Sequence, residues 1–160
     1  MNEIAVLLHN IRSTHNVGSI FRTSDAAGVS TVFFSGYTPI PIDRFGRPQK
    51  DIAKTALGAE NTIPWKYFKT PQKLISNLKK EGWTVVGVEQ DKRAIDYRTF
   101  RPAGKMLFIF GNEVLGISPG LRKLCDSILE IPMHGKKESL NVSVAAGIIL
   151  FRCGARSEIK

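Results

Sequence analysis

The sequence predicts an α/β domain with a mainly parallel β-sheet and flanking helices. Short apolar runs, typical of strands buried on both faces, alternate about five or six times with amphipathic helical patterns. No internal repeat or linker interrupts this alternation. The 160 residues are therefore expected to form a single domain (residues 1–160) with a core that needs no disulfide or metal to hold it.

The first strand is predicted at residues 4–8, which are all apolar. A helix follows, because apolar and small residues recur every three or four positions until Gly28 closes the pattern. Asn16 is a plausible N-cap for it. Residues 29–34 are predicted to form the second strand.

Residues 37–61 are predicted to be a long loop with one helical turn near residues 51–57, because prolines and glycines break the periodicity. Tyr37 and Phe45 lie among basic residues in this loop. They could stack on nucleobases, or they could instead fold back onto the domain.

The remaining chain continues the alternation. A short strand is predicted at residues 62–68, and a helix that opens at Thr70-Pro71 runs to Gly82. Further strands are predicted at residues 83–88 and 106–110.

The C-terminal part begins with a helix at Ser118-Pro119. A short apolar strand, residues 128–131, is ended by Pro132. Either Ser139 or Asn141 can cap the final helix, which is predicted at residues 142–153.

The composition points to a nucleic-acid partner. Hydrophobic residues make up 42% of the chain and charged residues 23%, as in ordinary globular proteins, but the formal net charge is +9. Such a field attracts polyanions, although basic surfaces also serve solubility or bind anionic membranes.

Leader, membrane and metal signals are missing. The N-terminus has no basic start or cleavage site, and no apolar run reaches the ~18 residues needed to span a bilayer, so a cytoplasmic location without membrane contact is expected. Cys125 and Cys153 lie on predicted helices, match no metal spacing, and are expected to be buried thiols. No metal site is predicted.

Three polar loops follow predicted strands, at residues 10–16, 111–118 and 134–141. Ligands of parallel sheets bind at the carboxyl ends of strands, so these loops are the candidate site. No GxGxxG follows the first strand, and residues 111–116 have P-loop spacing without the Lys-Ser/Thr that should follow. The three histidines have no Gly-x-Ser-x-Gly elbow to act with.

Read together, the loops resemble a known family. The segments NIRSTHNVGSIFRT (residues 10–23), IFGNEVLGIS (109–118), and IPM (131–133) with SLNVSVAA (139–146) look like the three ordered motifs of the SpoU (TrmH-type) RNA 2′-O-ribose methyltransferases of the SPOUT superfamily. The resemblance covers nearly the whole chain. Three motifs in order are far more specific than any one of them.

This resemblance implies a C-terminal deep trefoil knot, which no periodicity could suggest. It also implies a homodimer whose subunits pack around a site for S-adenosylmethionine. By position in the motifs, the cofactor pocket should be lined by Val88, Gly111, Ile131 and Leu140, with Met133 nearby. Simple core packing is the alternative for Val88, Ile131 and Leu140.

The resemblance also implies the catalytic residues, which are Asn16, Arg22, Glu113, Ser139 and Asn141. Arginine is a poor base, so our hypothesis is that Arg22 clamps a backbone phosphate and polarises the ribose 2′-OH, while the phosphate or water takes the proton. A salt bridge from Arg22 to Asp25 or Glu113 is the alternative. Asn16 and Asn141 could orient Arg22 or the loops, Ser139 could bind cofactor or substrate, and Glu113 could orient Arg22 or close the cofactor loop. Each could instead be a helix cap or a loop brace.

The substrate implied is tRNA or rRNA. No separate substrate domain is predicted, so the domain itself should hold RNA. The candidate RNA contacts are Arg12, His15, Arg44, Arg47, Lys50 and Lys54, with Arg93, Arg98 and Arg101 across a dimer. A catalytically idle RNA-binding module and a base-modifying SPOUT methyltransferase are the alternatives.

Overall fold

The computed structural model describes residues 2–154, which fold around a seven-stranded sheet within that range. Its strands are β1 (Glu3–His9), β2 (Thr31–Ser35), β3 (Trp65–Phe68), β4 (Trp83–Val88), β5 (Ile95–Asp96), β6 (Lys105–Phe110) and β7 (Ser127–Glu130). Its helices are α1 (Thr14–Ala26), α2 (Lys50–Ala56), α3 (Ala59–Thr62), α4 (Pro71–Lys80), α5 (Pro119–Arg122) and α6 (Val142–Cys153).

The strand order is β3-β2-β1-β6-β4-β7-β5, and every pair is parallel. The predicted α/β class and parallel sheet are confirmed. Strand β1 is an interior strand of the sheet, between β2 and β6, which explains why its residues 4–8 are all buried.

Helices cover both faces of the sheet. Ile4, Val6 and Leu8 of β1 point into a core with α1, α2 and α6, whereas Ala5 and Leu7 point into a second core with α4 and α5. This division follows from the two-residue period of a strand. The apolar runs in the sequence are therefore buried because both faces of the sheet are covered.

The segment predicted to be a loop at residues 37–61 contains two helices instead. Helix α2 spans Lys50–Ala56, where the one helical turn was predicted, and α3 spans Ala59–Thr62, where no helix was predicted. Helix α2 packs closely on α1 at Gly18, where a Cβ atom would lie 2.4 Å from the Ile52 carbonyl oxygen. A short helix that is stabilised by such packing has little signal of its own in the sequence.

Two smaller predictions were wrong, and one short strand was missed. The N-cap of α1 is Ser13, whose hydroxyl accepts the Asn16 N–H, and Asn16 lies inside the helix. Strand β5 has only two residues and was not predicted. Cys125 lies beyond α5 rather than on it.

Both cysteines are free thiols. Cys153 is buried, as predicted, and Cys125 is partly buried. Burial raises the pKa of each thiol to about 11. Both groups are therefore overwhelmingly protonated at neutral pH, which makes them poor nucleophiles.

The four neighbouring strands β1, β6, β4 and β7 run in the same direction and end at His9, Phe110, Val88 and Glu130. Their following loops consequently meet at one edge of the sheet, where parallel sheets bind ligands. Within residues 2–154, no helix combines the length and the apolar character required to cross a bilayer.

Candidate functional site

A cleft of about 300 Å³ opens at the carboxyl edge of β4, β6 and β7. The five residues that the motifs place at a cofactor pocket all lie in its wall: Val88, Gly111, Ile131, Met133 and Leu140. Glu113 and Ser139 also line it. The cleft therefore gathers residues from the second and third motifs, together with the end of β4.

The loop after β6 forms one wall of the cleft and is tightly folded. The Asn112 side-chain oxygen accepts the N–H groups of Val114 (2.9 Å) and Leu115 (2.8 Å). A Cβ atom on Gly111 would lie 2.5 Å from the Gly116 carbonyl oxygen, so only glycine fits there without a shift of the backbone. Gly116 has a φ of +68°, which also favours glycine.

Glu89 braces the same loop from β4. Its carboxylate accepts the Ile117 N–H at 2.8 Å and the Gln90 N–H at 2.8 Å. The Gln90 side chain donates to the Glu138 carbonyl oxygen at 2.5 Å, which connects the β4 end to the third loop. The walls of the cleft are thus joined to one another through hydrogen bonds.

A chain of hydrogen bonds joins the three motifs beside the cleft. Asn141 donates to the side-chain oxygen of Asn16 at 3.2 Å, and Asn16 donates to Glu113 at 3.3 Å. Glu113 also accepts the backbone N–H groups of Arg12 and Ser13 at 3.2 and 3.3 Å. Glu113 is therefore a brace between the first and second motif loops, one of the alternatives given for it.

Glu113 has a pKa below its ordinary value of 4.5. Burial acts to raise this pKa, but the hydrogen bonds from its own backbone N–H, Arg12, Ser13 and Asn16 favour the carboxylate and outweigh burial. The hydrogen bonds of the network are therefore made to the ionised carboxylate of Glu113.

This lowered pKa predicts a pH-dependent contribution of Glu113 to stability. A lowered folded-state pKa stabilises the fold fully above the ordinary value of 4.5, and that contribution is lost as the pH falls through the folded-state pKa. We therefore expect Glu113→Gln to reduce the free energy of unfolding more at about pH 7 than at about pH 3, as measured by urea denaturation. An equal loss at both pH values would contradict this, and Glu81→Gln at an exposed position is the matched control.

The third motif supplies a helix cap as well as a wall. Asn141 is the N-cap of α6, and its side-chain oxygen accepts the Ser143 N–H at 2.8 Å. Ser139 is exposed at the cleft and does not cap the helix. Of the two predicted caps, Asn141 is the one observed.

Arg22 lies apart from this network. It is exposed and lines a separate recess of about 520 Å³ with Lys54, Leu57 and Phe151. Six residues along a helix turn the side chain by about 240°, so Arg22 and Asn16 face different directions. Within residues 2–154, Arg22 forms no salt bridge with Asp25 or Glu113 and no hydrogen bond with Asn16 or Asn141. In the described part of a single chain, the alternative of a salt bridge from Arg22 is therefore contradicted, and neither Asn16, Asn141 nor Glu113 orients Arg22.

The predicted RNA-binding residues fall into two regions. The first includes Arg12 and His15 at the start of α1, Arg44 and Arg47 in the loop after β2, and Lys50 and Lys54 on α2. The second lies near β5, at the far end of the sheet, where Arg93 and Arg98 pair with Asp91 and Asp96, and Arg101 follows. One chain does not bring the two regions together.

Two site residues were missed from the sequence, namely Glu89 and Asn112. Glu89 directly follows β4. The rule that ligands bind at the carboxyl ends of parallel strands, which predicted the other loops, therefore applies to Glu89 as well. Asn112 lay inside the second motif but was not singled out, although it also donates to the Tyr37 hydroxyl at 2.9 Å. In the described part of the chain, no cluster of side chains could hold a metal ion.

Comparison with known proteins gives a consistent result. Residues 3–151 match the model of the SpoU rRNA Methylase family. A 23S rRNA (guanosine-2′-O-)-methyltransferase RlmB of Ralstonia nicotianae is 33% identical over 152 residues, which cover 92% of this chain and 57% of that protein.

Solved structures of similar fold agree with the match to this family. An AdoMet-bound rRNA methyltransferase from Sinorhizobium meliloti superposes with a TM-score of 0.85 at 30% identity, covering 94% of this chain and 55% of the other. The SpoU methyltransferase AviRb from Streptomyces viridochromogenes, in complex with AdoMet, gives a TM-score of 0.82 at 26% identity, with 94% and 59% covered. The chain thus spans little more than half the length of these relatives.

Proposed function

The chain belongs to the SpoU rRNA methylase family, and from that membership we propose that it transfers a methyl group from S-adenosylmethionine to a ribose 2′-OH of tRNA or rRNA. The observation that carries the proposal is the chain of hydrogen bonds through Asn141, Asn16 and Glu113, which joins all three motifs beside one cleft. RNA as the substrate also agrees with the net charge of +9. We propose that this activity takes place in the cytoplasm, because tRNA and rRNA substrates are found there.

The cleft suits S-adenosylmethionine in its chemistry. Val88, Ile131, Met133 and Leu140 offer apolar walls for the adenine and the methionine carbon chain, while backbone groups of the 111–117 loop offer hydrogen bonds. Gly111 lets the Gly116 backbone pack directly against it, which gives this loop its shape. When bound, this cofactor supplies an electrophilic methyl group on a positively charged sulfur.

The polar residues of the three motifs, including Arg22 in its separate recess, have the task of positioning the RNA. We propose that Arg22 clamps a backbone phosphate and polarises the 2′-OH, which loses its proton to that phosphate or to water. Asn16 and Asn141 hold the motif loops in register, and Ser139 offers a hydroxyl to cofactor or ribose at the mouth of the cleft.

We further propose that the C-terminal segment forms a deep trefoil knot, as the family resemblance implies. The bond between Gln90 and Glu138 and the bond between Asn141 and Asn16 support a close fit of this segment against two earlier loops.

A homodimer is also proposed, and exposed apolar residues support it. Val144 and Phe151 lie seven residues apart on α6, hence on one face, and Phe151 is 63% exposed. Phe151 and Leu57 flank Arg22 in its recess. A partner seated on this face would cover the apolar side chains and bring Arg22 towards the partner's cleft.

We expect Phe151→Asp to shift the protein from dimer to monomer, because a buried charge at an apolar interface costs several kcal/mol. Light scattering during size-exclusion chromatography measures the mass directly. Ile95→Asp, at an exposed apolar position on β5, should leave the mass unchanged. A dimer that survives Phe151→Asp with unaltered affinity would place the interface elsewhere.

Transfer of labelled methyl groups into RNA that lacks the modification, followed by nucleoside analysis, tests the activity. We expect a 2′-O-methyl nucleoside in tRNA or rRNA. A methylated base would instead identify a base-modifying enzyme, and RNA binding without any transfer would identify an idle module. Calorimetric binding of S-adenosylmethionine to the protein gives a readout that does not depend on turnover.

A further inference from the structure

The loop between β2 and α2 and the neighbouring strand β3 display aromatic side chains around an open recess. Phe45 is 65% exposed and Tyr67 is 42% exposed, and both line a recess of about 670 Å³. Tyr37, 56% exposed, precedes the lining residue Thr38. Exposure of large aromatic surface to water is energetically unfavourable. A group of exposed aromatic side chains therefore indicates a binding surface.

The recess is held in shape before any ligand arrives. The Asp43 carboxylate accepts the N–H groups of Phe45 (2.8 Å) and Arg47 (3.0 Å), and it pairs with the Arg47 guanidinium at 2.8 Å. These backbone hydrogen bonds lower the pKa of Asp43. A bridge between Ile42 and Pro48 closes the base of the turn. Phe45 therefore lies on a rigid turn rather than on a flexible loop.

Positive charge surrounds the exposed ring. The guanidinium carbons of Arg44 and Arg47 lie 4.7 and 4.9 Å from the centroid of Phe45, which is cation–π distance. Asp43 balances Arg47, and within residues 2–154 Arg44 forms no salt bridge. The recess thus combines π surfaces with surplus positive charge. An unpaired nucleotide matches both, whereas an acidic peptide matches the charge alone.

The recess is connected to the cleft. The Tyr37 hydroxyl accepts a hydrogen bond from Asn112, the residue that folds the cleft wall, at 2.9 Å. Tyr67 donates to the Gly36 carbonyl at 3.0 Å, which fixes the other side of the recess next to Tyr37. RNA held in the recess would consequently run beside the wall of the cleft.

From these observations we infer that the recess lined by Phe45 and Tyr67, with Tyr37 beside it, stacks an unpaired nucleobase of the RNA, with Arg44 on the adjoining phosphate. The substrate class is therefore RNA with a loop or single-stranded stretch next to the target ribose, rather than a continuous duplex. This inference rests on the proposed function for RNA as the polymer.

The test compares two RNA probes that carry the same number of phosphates, a hairpin with an unpaired loop and a blunt duplex. We expect the wild-type protein to bind the hairpin more tightly, by fluorescence anisotropy. Phe45→Ala should weaken hairpin binding by about 5- to 100-fold, the range for loss of one stacked base, and should leave duplex binding nearly unchanged.

Matched variants separate stacking from charge and from folding. Phe45→Trp should retain hairpin affinity, and Phe45→Leu, which keeps apolar volume without a flat ring, should lose it. Phe45→Ala should not alter the salt dependence of binding, whereas Arg44→Gln should reduce its slope by about one. Unchanged thermal unfolding and S-adenosylmethionine affinity would show that the variants are folded.

Equal losses on hairpin and duplex, or an equal loss in binding inorganic polyphosphate, would overturn the inference and leave a general anion-binding surface. A wild-type protein without preference for the unpaired probe would overturn it as well. None of these measurements requires methyl transfer, so failure of the stacking surface and failure of the proposed methyltransferase activity give different results.

Discussion

Arg22→Ala should reduce methyl transfer to RNA by about two to three orders of magnitude, the loss typical of removing one donor that stabilises developing negative charge. Affinity for S-adenosylmethionine should stay nearly unchanged, because Arg22 does not line the cleft. Arg22→Lys should recover only part of the rate, since an ammonium group cannot grip a phosphate with two parallel hydrogen bonds. Single-turnover rates at saturating RNA measure the effect. Full retention of that rate in Arg22→Ala would remove Arg22 from the mechanism.

A mixing experiment tests whether Arg22 acts across a dimer. One chain carries Arg22→Ala and keeps its cleft, while the second keeps Arg22 and has its cleft blocked by Gly111→Leu. If Arg22 serves the partner's cleft, a mixed dimer contains one complete site, so two inactive preparations regain activity after mixing and subunit exchange. If each arginine serves its own cleft, the mixture remains inactive. The separation of Arg22 from the Asn16 network predicts the first result.

Gly111→Ala should weaken S-adenosylmethionine binding by about ten- to hundredfold. The new methyl group would lie 2.5 Å from the backbone of Gly116, so the 111–117 loop must move, and overpacking of this kind costs typically 1–3 kcal/mol. Isothermal titration calorimetry gives the affinity, and far-UV circular dichroism reports on the fold.

Gly120→Ala is the matched control for this loop. A Cβ atom at Gly120 meets nothing within 4 Å, so the substitution should leave cofactor affinity unchanged. Unaltered affinity in Gly111→Ala would show that the loop yields easily and that the cleft does not depend on its shape. Loss of affinity in both variants would point to a general effect on the fold.

Much of the sheet was predictable from the sequence because its strands are buried on both faces. Strands β1, β4 and β6 produce continuous apolar or β-branched runs, and their observed limits lie within one residue of the predicted ones. Strand order was not predictable, because no local pattern encodes which strand neighbours which. Helix α3 and strand β5 were missed, since both are short and depend on contacts with α1 and β7.

The candidate site was predictable in part. The strand-end rule located its loops, and the family motifs supplied the residues that line the cleft. The partners of each polar side chain could not be read from the sequence. Asn16 pairs with Asn141 and Glu113 rather than with Arg22 because helical phase, not proximity in sequence, decides which way a side chain points.

The hydrogen bonds between Asn141, Asn16 and Glu113 carry a consequence for how this protein is made. They span 125 and 97 positions of the chain, so closing them requires a large loss of conformational entropy and gives the site a high contact order. During synthesis the first motif leaves the ribosome long before its partner at Asn141 exists. The complete network can therefore form only after the end of the sheet has been translated, and its closure marks the finished fold rather than an early folding step.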